Sequence, residues 1–170
     1  MTKTAIIAQA RLESTRFPDK AMQKIRDKTV LAHVLKRCLA VKNADVVCCA
    51  IPDNAANDVV AKEAERVGTQ VFRGAEEDVL DRYYQAARRL GVDVVMRVTS
   101  DCPLIDPDIC AQVIDLRDRL GVDFATNNTP VAWPHGLDCE VFTFDLLEKT
   151  AAEDGRDWAR EHVTEQDAPR

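Results

Sequence analysis

The sequence predicts an α/β fold in which a mostly parallel β-sheet is covered by helices on both faces. Short apolar runs of strand length alternate with amphipathic stretches of helical period, which is typical of β-α-β units. The apolar runs are continuous, as expected for strands that are buried on both sides. The chain has 170 residues, of which 46% are hydrophobic and 31% are charged. It is therefore long enough to bury a substantial core.

The predicted elements follow one another in regular order along the chain. Strands are expected at residues 5–8, 45–51, 70–72, 93–98 and 123–126, and helices at 30–41, 55–67, 78–90 and from 107. Asp106 and Pro107 have the residue types of an N-cap and a first helical position, and Gly121 ends that helix. A strand at 140–144, whose direction could be antiparallel, precedes a helix from about residue 146. Residues 158–170 are interpreted as a polar helical tail, and residues 1–170 as one domain.

The loop after the first strand has the composition of an anion site. It contains three cations and two hydroxyls: Arg11, Ser14, Thr15, Arg16 and Lys20. In open α/β sheets, ligands bind beyond the carboxyl ends of the strands, which is where this loop begins. The loop therefore predicts a polyphosphate ligand, with a solvated basic turn as the alternative. No glycine-rich phosphate motif is present, so side-chain charge would have to hold the phosphates.

Charge patterning narrows the class of ligand. The formal net charge is −6, which argues against a nucleic-acid-binding protein. Residues 11–28 nevertheless contain six Lys or Arg against three Asp or Glu. A local positive field on an acidic protein favours a small anionic ligand.

Asp101 is the second candidate functional residue. It follows the fourth predicted strand, so it should lie at the same sheet edge as the cationic loop. A carboxylate beside a phosphate site predicts Mg²⁺, because that ion binds one or two carboxylates together with phosphate oxygens. Asp138 is the better candidate for a second carboxylate, since Glu140 could equally be an outward residue of a strand. The alternative for Asp101 is a solvated turn aspartate.

The cysteine pattern indicates a reducing compartment. None of the six cysteines has C-x-x-C spacing, and most lie inside apolar runs. No apolar run approaches the length of a membrane span, and no secretory signal precedes the first strand. We expect a cytoplasmic protein with unpaired thiols and without a structural zinc site.

Several motifs resemble those of the cytidylyltransferases that activate acidic sugars, such as the KDO and acylneuraminate enzymes. Residues 8–20 are similar to their opening motif, and residues 98–104 to their Asp-bearing second motif. The sequence most resembles the SpsF-type spore-coat polysaccharide biosynthesis proteins. The shared motifs lie at residues 77–83, 99–106, 136–142 and 160–164.

This resemblance implies a Rossmann-like nucleotidyltransferase fold, a three-layer αβα sandwich, that uses CTP and Mg²⁺. It implies catalytic roles for Arg11, Lys20 and Asp101, with Asp101 as a metal ligand; Asp138, the second candidate carboxylate, would complete the metal site. The implied nucleotide-binding residues are Ala8, Ala10, Arg11, Ser14, Arg16, Lys20, Arg73 and Thr99. The expected reaction transfers CMP from CTP to an acidic sugar or related polysaccharide precursor and releases pyrophosphate. A homodimer is a further expectation from the family.

Two other functions remain open from the sequence. A glycosyltransferase could use a similar sheet, but Asp101-Cys-Pro lacks the second aspartate of a D-x-D metal motif. A non-catalytic nucleotide-binding module is the other alternative. Family members usually continue beyond the position of Thr164, so the chain could be a fragment, a short variant or an inactive relative.

Overall fold

A six-stranded sheet forms the centre of the molecule. The computed structural model describes residues 2–12, 19–130 and 133–153. The strands in these residues are β1 (Thr4–Gln9), β2 (Lys24–Ile25), β3 (Lys28–Thr29), β4 (Val46–Pro52), β5 (Gln70–Gly74), β6 (Val94–Thr99), β7 (Phe124–Thr126) and β8 (Glu140–Thr143). The main sheet has the order β5-β4-β1-β6-β8-β7, and β2 pairs with β3 in a separate hairpin.

Among the described residues, five of the six strands in the main sheet point in the same direction, in agreement with the predicted mostly parallel sheet. β1 lies between β4 and β6 and is parallel to both, and β5 is parallel to β4. β8 is antiparallel to both β6 and β7. The antiparallel direction considered for residues 140–144 is therefore confirmed. Because β8 is reversed, its first residues lie at the edge where β1 and β6 end.

The helices lie close to their predicted positions. They are α1 (Val30–Cys38), α2 (Asp58–Val67), α3 (Val79–Leu90), α4 (Pro107–Leu120) and α5 (Phe144–Glu153). Asp106 caps α4 as predicted, because its carboxylate accepts hydrogen bonds from the backbone N–H groups of Asp108 and Ile109. The helix predicted from residue 55 instead begins with a 3-10 turn, Ala55–Asn57, before α2. Asn54 caps that turn by accepting a hydrogen bond from the backbone N–H of Asn57.

The helices cover both faces of the sheet, which confirms the three-layer αβα sandwich. Alternate residues of β1 point to opposite faces, so the strand contributes to two apolar clusters. Ile6 and Ala8 belong to a cluster with α1, α2 and α4, whereas Ala5 and Ile7 pack with α3 and α5. All four of these side chains have no exposed surface. Burial on both faces explains the continuous apolar sequence of this strand.

The β2–β3 hairpin was not predicted. Its strands have only two residues each, and three of these four residues are at least partly exposed. Such short strands give no alternating pattern, so their sequence resembles a loop. Within the described residues, none of the helices combines the length and the apolar character needed to cross a membrane.

Candidate active site

The carboxyl ends of β1 and β6 meet at one edge of the sheet. Their parallel register places Gln9 opposite Thr99. Just beyond the strands, the backbone N–H of Ser100 donates to the carbonyl of Gln9 over 3.2 Å. The loops that carry Arg11 and Asp101 therefore start side by side. This placement agrees with the prediction that both loops lie at one edge of the sheet. We call this edge, where β1 and β6 end, the rim.

Lys20 and Asp101 meet directly at this rim. The Lys20 Nζ donates a hydrogen bond to the Asp101 Oδ2 over 2.6 Å, and the two residues are 81 positions apart in the sequence. Their side chains are 38% and 41% exposed, respectively. A contact of this length between residues so distant in sequence brings the two predicted motifs into a single site. The exposure leaves both groups accessible to a ligand.

Asp101 is held in its ionised form. Partial burial alone would raise the pKa of its carboxyl. Hydrogen bonds from Lys20 and Thr99, together with the positive charge of Lys20, outweigh burial and keep the pKa below its ordinary value of 3.8. The carboxylate is therefore negatively charged throughout the neutral pH range, which is the form that binds a cation.

Asp138 approaches the same rim from β8. Its Oδ2 lies 3.2 Å from the His135 Nδ1. The Asn127 side chain braces this loop, because its Nδ2 donates to the Leu137 carbonyl and its Oδ1 accepts the Cys139 N–H, both over 2.9 Å. The loop that carries the second predicted carboxylate is thus fixed through backbone contacts.

The Cys102 thiol lies within the electrostatic influence of both carboxylates. Burial raises the pKa of this thiol, and the charges of Asp101 and Asp138 raise it further. Cys102 itself is kept protonated and is a poor nucleophile in this setting.

The available donors fit Mg²⁺ better than a transition metal. Within residues 2–12, 19–130 and 133–153, no three His, Cys, Asp or Glu side chains are grouped closely enough to form a complete metal site. Mg²⁺ does not need such a cage, because it retains waters and takes phosphate oxygens as ligands. An ionised Asp101, with Asp138 at the same edge of the sheet, fits a site of this kind.

A second arginine strengthens the positive charge next to Arg11. Arg82 lies on the buried side of α3, and its residue has no exposed surface. Its Nη1 donates to the carbonyls of Ala75 and Glu76, which holds the turn before α3. Its Nε and Nη2 have no hydrogen-bond partner among the described residues. Burial lowers the pKa of Arg82, and the positive charge of Arg11 lowers it further.

The pairing of β6 with β8 is reinforced by an ion pair. Arg97 lies opposite Glu140 in the register, and its Nη1 donates to the Glu140 Oε2 over 2.9 Å. Each side chain is 17% exposed. β6 leads into the turn that carries Asp101, and Asp138 lies just before β8. The Arg97–Glu140 pair therefore joins the two strands that position these carboxylates.

Three residues that support the rim were not identified from the sequence. Arg82 lies on the apolar face of α3, and this position in the helical pattern could have predicted its burial. Asn57 lies three residues after Asn54, a spacing typical of caps, but its contact with Leu12 depends on the tertiary structure. The partner of Arg97 could not be inferred because the register of β8 was unknown.

The other predicted site residues differ in their relation to the Lys20–Asp101 pair. Thr99 lies beside it, with its Oγ1 3.3 Å from the Cys102 Sγ. The side chains of Ala8 and Ala10 are buried in the core, which leaves only their backbones for a ligand contact. Ser14 and Arg16 lie outside the described residues.

Arg73 lies farther along the same edge, at the end of β5. The order of the sheet places β4 and β1 between β5 and β6. The Arg73 Nη2 donates to the Asp58 Oδ1 over 2.6 Å, and its Nη1 donates to the Asn54 carbonyl over 3.4 Å. Its described contacts are therefore with the start of α2 and not with Asp101. A role in nucleotide binding stays a prediction.

Taken together, the fold and this site define an α/β protein with a cation and a carboxylate joined at the carboxyl ends of parallel strands. Comparisons with known proteins agree with this class. The family model described as cytidylyltransferase matches residues 5–167. The chain belongs to the cytidylyltransferase family.

Relatives with known sequences span several named functions. An uncharacterized protein of Methanocaldococcus jannaschii is 33% identical, and the match covers 93% of this chain and 64% of that protein. The spore coat polysaccharide biosynthesis protein SpsF of Bacillus subtilis is 31% identical over 96% of this chain and 69% of its own length. A 3-deoxy-manno-octulosonate cytidylyltransferase of Anaeromyxobacter dehalogenans is 33% identical, and the match covers 78% of this chain and 54% of that protein. The chain thus spans about half to two thirds of these relatives.

Solved structures show the same fold. A cytidylyltransferase from Leptospira borgpetersenii superposes with a TM-score of 0.91 and 34% identity, covering 96% of this chain and 69% of that one. A CMP:2-keto-3-deoxy-manno-octonic acid synthetase in complex with CTP superposes with a TM-score of 0.75 over 95% of this chain and 83% of its own. Its identity is 18%, so this second likeness concerns the fold alone.

Proposed function

We propose that the chain provides the nucleotide site of an enzyme that transfers CMP from CTP to an acidic sugar or related polysaccharide precursor. The observation that carries the proposal is the 2.6 Å contact between Lys20 and Asp101. It joins a cationic loop and an ionised carboxylate at the sheet edge where α/β proteins bind ligands. A phosphate chain and a divalent cation together complement both charges.

The proposed reaction forms one bond and breaks another at the α-phosphorus. A hydroxyl oxygen of the sugar attacks that phosphorus, and the bond to the bridging oxygen of pyrophosphate breaks. Negative charge develops on the phosphate oxygens, so positioning and electrostatic stabilisation supply most of the catalysis. Arg11 and Lys20 would bind and neutralise the departing pyrophosphate. In the free protein Lys20 is paired with Asp101, and it would exchange that partner for a phosphate oxygen.

Asp101 and Asp138 would hold the Mg²⁺ ion, which would neutralise the phosphates and polarise the α-phosphate. The buried Arg82 would add positive charge behind Arg11 without contacting the nucleotide, because its side chain has no exposed surface. Relatives named as cytidylyltransferases support CTP as the nucleotide, and the acidic sugar follows from the name of one of them.

A pyrophosphate-release screen tests this function. The four nucleoside triphosphates are combined with a panel of acidic sugars, with and without Mg²⁺. We expect release that requires CTP, an acidic sugar and Mg²⁺ together. Equal use of all four nucleotides, or release that persists in EDTA, would contradict the proposal. Binding of CTP without release would favour the non-catalytic module, and binding of UDP-sugars in preference to CTP would favour a glycosyltransferase.

A further inference from the structure

Asn57 is a fully buried polar residue that contacts the start of the cationic loop. The residue has no exposed surface and lies at the end of the 3-10 turn before α2. Its Oδ1 accepts the backbone N–H of Leu12 over 2.9 Å, and the two residues are 45 positions apart. Leu12 directly follows Arg11. A long-range contact of this kind fixes the backbone at the point where the loop leaves the sheet.

Leu12 is also where the loop closes. Its carbonyl accepts the backbone N–H of Asp19 over 3.2 Å, and Asp19 directly precedes Lys20. The loop thus begins at Leu12, and its last residue, Asp19, is hydrogen-bonded back to Leu12. A fixed backbone at Leu12 therefore fixes the backbone positions from which the side chains of Arg11 and Lys20 extend.

The Asn57 amide is held in one orientation. Its Nδ2 donates to the Asn54 Oδ1 over 2.7 Å, so its Oδ1 must face the Leu12 N–H. With the amide reversed, the Nδ2 donor would face the Leu12 N–H donor, and the Oδ1 acceptor would face the Asn54 Oδ1 acceptor, so both hydrogen bonds would be lost. The Asn54 Oδ1 also accepts the backbone N–H of Asn57 over 3.1 Å. Asn54 and Asn57 therefore form a preorganised acceptor for Leu12.

We propose that Asn57 is a positioning residue for the nucleotide site, and that its amide sets the placement of Arg11 and Lys20 through the backbone of Leu12. The inference rests on the proposed function, in which these two cations hold the triphosphate. Asn57 is buried and acts through Leu12, so it does not contact the ligand itself. Small errors in the placement of charged groups reduce binding and catalysis strongly.

The test compares Asn57→Ala with the wild type in two measurements. Amide hydrogen exchange reports on the Leu12 N–H directly, and calorimetric titration with CTP in excess Mg²⁺ reports on the site. We expect exchange at Leu12 to accelerate and the dissociation constant for CTP to rise, each by roughly tenfold, as for the loss of one well-formed hydrogen bond. Unchanged exchange at Leu12, or unchanged CTP affinity in a variant of a wild type that binds CTP, would overturn the inference.

A matched control separates positioning from general stability. Asn43 is another asparagine that donates from its side chain to a distant backbone carbonyl, that of Ala111, over 3.0 Å. Asn43→Ala should lower the melting temperature but leave CTP affinity and exchange at Leu12 unchanged. If Asn57→Ala does not fold, Asn54→Ala replaces it, because it removes the group that orients the Asn57 amide. We expect smaller changes of the same sign from it, and no change would overturn the inference.

A double variant tests whether Asn57 acts through the loop. On an Arg11→Ala background, Asn57→Ala should weaken CTP binding by less than it does in the wild type, because one of the positioned cations is gone. A purely structural role predicts equal losses in both backgrounds, which would contradict the inference. Failure of the wild type to bind CTP would contradict the proposed function instead, and exchange at Leu12 would still decide whether the Asn57 contact orders the loop.

Discussion

At the scale of single residues, Asp101 shows how one carboxylate is prepared for a cation. Hydrogen bonds from Lys20 and Thr99 outweigh the effect of burial on its pKa. The contact with Lys20 is partly exposed, so it contributes little to folding. Its more important consequence is chemical, because it keeps an ionised oxygen next to a partly exposed ammonium group. In the proposed function, each of these two groups would exchange its present partner for a ligand, Lys20 for a phosphate oxygen and Asp101 for Mg²⁺.

Replacing Asp101 should therefore affect turnover much more than stability. Asp101→Asn is expected to slow CMP transfer by a hundredfold or more, about 3 kcal/mol of transition-state stabilisation, and to change the free energy of unfolding by less than about 1 kcal/mol. Pyrophosphate release and urea unfolding measure the two effects. Asp118→Asn is the control, because Asp118 accepts from Arg117 over the same 2.6 Å at the far end of α4. Near-normal release by Asp101→Asn would rule out the proposed role.

The pKa of Asp101 gives a second prediction at this scale. Its folded-state pKa is depressed, so the stabilisation from ionised Asp101 is present above its unfolded-state pKa near 3.8 and is lost as the pH falls through the lower folded-state value. Lys20→Met removes the hydrogen bond and the charge that lower this pKa. NMR titration should therefore show a higher midpoint for the Asp101 carboxyl in Lys20→Met than in the wild type. Identical midpoints would mean that the contact with Lys20 is absent in solution.

At the scale of elements, the antiparallel strand β8 brings a second carboxylate to the site. A parallel strand would begin at the opposite edge of the sheet, whereas β8 begins at the edge where β6 ends. The Arg97–Glu140 pair lies at that end of the β6–β8 register. It therefore stabilises the strand pairing at the point that determines where Asp138 lies relative to Asp101.

Breaking this pair should be costly because both side chains are largely buried. Arg97→Met or Glu140→Gln alone is expected to lower the free energy of unfolding by about 2–3 kcal/mol, since each removes one member of a largely buried ion pair. The double variant should lose less than the sum of the two single variants. Urea denaturation measures all three, with Lys42→Met as a control for a highly exposed pair. Additive losses in the double variant would show that Arg97 and Glu140 do not interact.

At the scale of the whole molecule, the sequence was enough to predict the αβα layers and the sheet edge that carries Lys20 and Asp101. It was not enough to predict the long-range contacts that hold the loops at this edge in place. Continuous apolar runs identified the buried strands, and the rule that ligands bind at carboxyl ends brought Lys20 and Asp101 together. Both signals are local or topological. The contacts of Asn57 with Leu12 and of Arg97 with Glu140 join residues 45 and 43 positions apart, and they depend on strand order and register. Arg73 was placed by family resemblance, which carried no information on its contact with Asp58.

The rim of Arg11, Lys20 and Asp101 predicts a specific dependence of CTP binding on Mg²⁺. Isothermal titration of CTP into the wild type and into Asp101→Asn, each in Mg²⁺ and in EDTA, tests this claim most directly. The wild type should bind CTP at least tenfold more tightly in Mg²⁺ than in EDTA, and Asp101→Asn should lose most of that difference. Equal affinity of the wild type in both solutions, or an undiminished Mg²⁺ effect in Asp101→Asn, would contradict the account.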